Sequence, residues 1–195
     1  MPVKHDNYPI LSFKNIESFE KWLAKNHLKT EGIWMKIAKV KSGITSINYA
    51  EALDTALCYG WIDGLRRSLD ADYFVQKFTP RRANSIWSVV NKKKVAALIK
   101  EGKMKDAGKA AIKQAKTNGR WNGAYDSQRT IAVPAGLQQA LEENQKAKTF
   151  FSKLSSQNRY AILFRLNQLK REETKEKRIK EYVNMLERHE TIYPQ

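Results

Sequence analysis

The hydrophobic pattern of this chain changes period once, around Pro80. Before it, short apolar runs alternate with two amphipathic helical stretches. After it, apolar residues recur almost throughout at the three- and four-residue spacing of a helix. Proline has no N–H to give a sheet and pushes the residue before it towards extended backbone, so a strand that reaches Thr79 stops there. A chain built this way is a mixed segment followed by a helical one. The expected fold class is α+β, with a small antiparallel sheet of three to four strands and helices in the N-terminal half, and a helical C-terminal half packed on it. The boundary falls near residue 125, giving an α+β domain over 1–125 and a helical region over 126–195.

Within the first half, Phe19, Trp22 and Leu23 after Asn15-Ile16 mark an amphipathic helix ending near Asn26. Ile33–Ala38 is rich in strand formers, and Trp61 and Tyr73 open two further strands over 61–66 and 73–78. Neighbours separated by about a turn pair antiparallel, because a parallel pair needs a crossover. Ser46 or Asn48 caps a helix over Tyr49–Cys58, and Gly60 stands where a left-handed residue closes it. Helices follow over Ser88–Lys100 and Lys103–Thr117. Ile131–Pro134 is a short extended piece. Tyr160, Leu163, Phe164 and Leu166 mark a later helix, and Ile179, Tyr182, Val183 and Leu186 the last.

The net charge is +16, and residues 81–120 carry +10 of it. A field concentrated in this way attracts polyanions, although a lysine-rich solvated surface has the same composition. On the second basic helix Met104, Ala107, Gly108, Ala111, Ile112 and Ala115 share one face, and Lys105, Lys109, Lys113 and Lys116 share another. Such lysines contact phosphate and do not read bases, which makes a backbone-contacting nucleic-acid binder one candidate function. No run approaches the roughly 18 apolar residues of a membrane span, the N-terminal Met1–Asp6 lacks a secretory apolar core, and Cys58 is the single cysteine. The expected location is the cytoplasm.

The segment Thr79–Asn91 carries the most chemistry. Arg81 and Arg82 follow the strand-ending proline, and Ser85 or Ser88 is suited to cap the helix beyond. Guanidinium forks beside free N–H groups at a helix start are two anion-binding devices in one place. The expected ligand-binding set is Arg81, Arg82, Ser85, Trp87, Ser88 and Asn91, with Trp61 and Asp63 nearby, and the ligand a small anion or an acidic protein. The competing reading is a plain strand-to-helix junction with the arginines paired to Asp63 or Asp70. Catalytic patterns are weak. Cys58 needs a base, and His5, His27 and His189 are not placed beside it by sequence. A site around Cys58, Trp61, Asp63 and Arg81 is the enzymatic alternative. Neither a zinc set nor a phosphate-binding glycine loop is present, so no metal and no cofactor is expected.

Several phrases resemble the YdeI/OmpD-associated, bacteriocin-protection family. They are Gly32-Ile33-Trp34, Ser46–Ala52, Ala56–Gly64 and Phe78–Asn91, followed by Gly102-Lys103-Met104, Gly119-Arg120-Trp121 and Glu173–Ile179. Their order holds over nearly the whole chain. Lys175 stands where the family pattern has arginine, so a planar guanidinium contact is replaced by a point charge. The resemblance implies an intracellular bacterial protein linked to protection against bacteriocins or envelope stress, and it brings no reaction with it.

Overall fold

The computed structural model describes residues 8–126 and 130–195. His5 and the Met1–Asp6 segment lie outside the described residues. Two compact units are present. One holds the residues up to Trp87 together with Asn91–Asn122, and the other holds Ser88–Val90 with Gly123–Gln195.

In the first unit a reciprocal cap starts helix α1 (Ile16–Asn26): Asn15 accepts from the Ser18 N–H, and the Ser18 hydroxyl sits against the Asn15 N–H. Its apolar face buries Phe19 and Leu23. The same device, Asn48 with Glu51, starts α2 (Tyr49–Cys58), which settles the choice between Ser46 and Asn48. Ser46 instead donates its hydroxyl to the Ile47 carbonyl and accepts from the Ala38 N–H.

The sheet contains β1 (Ile10–Ser12), β2 (Ile33–Ala38), β3 (Trp61–Ser68) and β4 (Tyr73–Pro80) in the order β1-β2-β4-β3. β4 pairs antiparallel with both β2 and β3, as expected. β1, however, pairs parallel with β2, so the sheet is mixed and not wholly antiparallel. The reason is the crossover: α1 lies between the two strands and supplies the length a parallel pair needs. One face of the sheet points inward with Ile33, Met35, Ile37 and Phe78, each at most 1% exposed. Helices α3 (Val89–Lys100) and α4 (Asp106–Thr117) follow.

The second unit is helical, with α5 (Ala135–Glu143), α6 (Gln145–Lys153), α7 (Ser156–Asn167) and α8 (Glu172–Glu187). Its core gathers Leu137, Phe151, Ile162, Leu166, Tyr182 and Leu186, and the predicted stripe of α8 is buried at all four positions. Ile131–Pro134, expected to be extended, belongs to no strand or helix.

Candidate functional site

The site follows from how α2 ends. Gly60 adopts φ 72°, and the chain turns directly into β3 at Trp61. Register pairs Trp61 with Pro80, so the next residue, Arg81, lies across from Gly60 and gives its N–H to the Gly60 carbonyl at 2.9 Å. Two phrases twenty residues apart in sequence thereby become neighbours. Trp61 is buried, and its indole N–H donates to the His27 carbonyl at 3.1 Å.

Helix α4 closes the other side. A Cβ added at Gly60 would stand 2.9 Å from the Ala107 carbonyl oxygen, and one at Gly108 would stand 2.4 Å from the Cys58 oxygen. Only glycine permits this approach, which brings the small face of α4 over the end of α2. The result is a hollow of about 410 Å3 bordered by His27, Tyr59, Trp61, Arg81 and Gln114, with alanines of α4 opposite. Among the described residues no carboxylate lines it. The Arg81 guanidinium lies 3.9 Å over the Trp87 ring, and its Nη1 donates to the Ile86 carbonyl at 3.3 Å.

The other predicted residues go elsewhere. Consecutive side chains of extended backbone point to opposite sides, and Arg82 accordingly faces a second hollow of about 580 Å3 with Tyr8, Lys77, Thr79, Ser85 and Glu31. Arg82 has no salt bridge among the described residues. Ser85 sits in a turn, giving its N–H to the Arg82 carbonyl, three residues short of the helix. Helix α3 starts at Val89, and the Val89 N–H donates to the Tyr125 carbonyl at 2.9 Å. The arginines and the helix start are thus separated by the Ala83–Trp87 turn and do not share one hollow. Ser88, bridged to Tyr125, and Asn91 are buried. Asp63 accepts from the Tyr49 hydroxyl at 2.7 Å, and Asp70 caps the Asp72 and Tyr73 N–H groups.

The enzymatic constellation is not assembled in one cavity. Trp61 and Arg81 border the first hollow, whereas Cys58 lines a separate one of about 550 Å3 with Glu20, Asp54, Lys94, Lys103 and Lys105. Burial first, and the nearby Glu20 second, push the Cys58 thiol up to about 11, with Lys105 opposing. A thiol held protonated is a poor nucleophile. His27 turns Nδ1 to the Leu23 carbonyl at 2.9 Å, and His189 lies against Phe150 in the second unit. Among the described residues no group of three acidic, histidine or cysteine side chains is placed to hold a metal ion.

Residues 130–189 match the family described as Bacteriocin-protection, YdeI or OmpD-Associated. These residues carry a domain of this family. Residues 11–111 match a domain of unknown function (DUF8412), which includes the lining of the arginine hollow except Gln114 and most of the phrases that carried the resemblance. No curated protein and no solved structure matched the chain.

The lysine stripe is partly engaged. Lys105 precedes α4 and pairs with Glu20 at 2.8 Å, which raises its pKa, and Lys109 pairs with Asp106 at 3.4 Å. Lys116 lies 5.5 Å over the Trp121 ring, while Lys113 is exposed with no partner among the described residues. The residues that sequence reasoning missed at the first hollow are Tyr59, Gln114 and the role of His27 as a wall. Their only signal was the small face of α4, which announced close packing without saying on what. Among the described residues no helix is long and apolar enough to cross a membrane.

Proposed function

We propose that this chain is a non-enzymatic binding protein, of the protection type its family name describes, that takes a small anionic ligand in the hollow beside Arg81. The supporting observation is that Arg81, held 3.9 Å over Trp87, borders a cavity that no carboxylate lines among the described residues. Stacking holds the guanidinium plane before any ligand arrives, so little side-chain entropy is lost on binding. A cavity of this size suits a small molecule, and His27 and Gln114 line it as well. Charge and fork together favour a carboxylate or phosphate over a neutral guest.

The test is calorimetric titration of the wild type and of Arg81→Lys with small carboxylates and inorganic phosphate. The lysine keeps the charge and loses the fork, and a hydrogen bond to a charged group contributes about 1.5–3 kcal/mol, so affinity should fall about 10- to 100-fold. Arg82→Lys should leave it unchanged. Equal affinity in wild type and Arg81→Lys would refute the assignment.

A further inference from the structure

The sheet has a second face, and it has a different chemistry. Strand alternation turns Trp34 and Lys36 of β2, and Tyr73, Val75 and Lys77 of β4, away from the inward row of Ile33, Met35, Ile37 and Phe78. Arg67 of β3 joins them, paired in register with Val75. Three cations sit over three rings on this one surface. Lys36 lies 3.7 Å over Tyr73, Arg67 lies 4.7 Å over Trp34, and Lys77 lies 4.7 Å over Tyr8. The outward residues of β2 and β4 include no carboxylate. From Tyr73 to Lys77 the row runs about 13 Å along the strand, at roughly 3.3 Å per residue. Its Lys77 end opens into the hollow that Arg82 faces.

We propose that this outward sheet face binds single-stranded nucleic acid. The argument is complementarity. Cations in a row match a phosphate backbone, and flat groups between them match unstacked bases. Trp34 is buried and Lys36 covers the half-buried Tyr73 ring, so the exposed stacking surface is the outer side of the Arg67 guanidinium, backed by the indole. Bases stack on arginine planes as they do on aromatic rings. A duplex keeps its bases paired and offers this surface only phosphate, so single strands gain the stacking and duplexes do not. The surface is independent of the Arg81 hollow.

Fluorescence anisotropy with a labelled oligothymidylate of about twelve nucleotides tests it, a length within the span one such platform covers. Two phosphates neutralised by Lys36 and Arg67 give a log–log salt slope near −1.4, so affinity should fall roughly sevenfold from about 50 to about 200 mM salt. Arg67→Lys keeps the charge and loses the plane. It should weaken oligothymidylate about tenfold and leave binding of inorganic polyphosphate unchanged. The joint change of Lys109, Lys113 and Lys116 to glutamine should leave oligothymidylate affinity intact. The proposal is overturned if polyphosphate or duplex binds as tightly as the oligonucleotide, if Arg67→Lys has no effect, if the α4 changes abolish binding, or if nothing binds at low salt.

Discussion

The guanidinium of Arg81 rests 3.9 Å above the ring of Trp87 while its backbone N–H is bonded to Gly60, so one residue joins the end of α2, the end of β4 and the turn before α3. Trp87 is 2% exposed, tilts against Trp121 at 5.0 Å, and its buried indole N–H has no hydrogen-bond partner among the described residues. This makes the ring a packing element first and a donor not at all.

Trp87→Ala should therefore cost about 3–5 kcal/mol through the cavity it leaves. Trp87→Phe should cost markedly less, because it keeps a ring under Arg81 and removes the unbonded N–H with the rest of the indole. Equilibrium urea unfolding of the two variants checks this. Similar losses for both would contradict this, because phenylalanine fills most of the space and keeps a ring under Arg81.

Gly108 offers a sharper test, since helix propensity and packing oppose each other there. Alanine is favoured over glycine inside a helix by about 1 kcal/mol. A Cβ at this position would stand 2.4 Å from the Cys58 oxygen and 2.6 Å from the Met104 methyl. Backbone cannot yield as a flexible side chain does, and overpacking costs about 1–3 kcal/mol, so Gly108→Ala should be net destabilising in thermal melts. A raised midpoint would show that α4 does not approach α2 as closely as described.

Much of this arrangement was legible in the sequence, and the rest was not for identifiable reasons. Local signals worked: Asn48 stood as one of two candidate caps for α2, Gly60 read as a left-handed terminator, and Ile33–Ala38 as a strand. The α4 face of Met104, Gly108, Ile112 and Ala115 was visible as a stripe and is buried. What local pattern does not carry is pairing at a distance. The parallel partner of β2 is three residues long, too short for any periodicity. Trp61 and Arg81 border one hollow because β3 and β4 pair with Trp61 opposite Pro80, while Arg82, the next residue, lines another. Ser85 looked like a cap because serine serves caps and turns alike, and here the turn won.

Cys58 should behave as an inert thiol. Its pKa is pushed up to about 11 by burial, so at neutral pH it should react with a chromogenic disulfide far more slowly than an exposed cysteine in denaturant does. The sign of the stability effect follows. Between the ordinary thiol value of 9.0 and about 11, the unfolded chain has lost a proton that the folded chain keeps. Stability is thus fully present below pH 9 and declines as pH rises through that window. In Cys58→Ala this part of the alkaline decline should vanish, as read by unfolding midpoints across the range. An unchanged decline would place its cause in other groups.

The most direct measurement of the central claim is an anomalous diffraction map from crystals soaked in selenate, a stand-in for sulfate and phosphate. The Arg81 reading predicts a peak in the hollow bordered by His27, Trp61 and Gln114, with a selenate oxygen about 2.7–3.2 Å from a guanidinium nitrogen, and its loss in Arg81→Lys. A peak confined to the Arg82 hollow, or an empty Arg81 hollow at selenate concentrations that fill other sites, would contradict it.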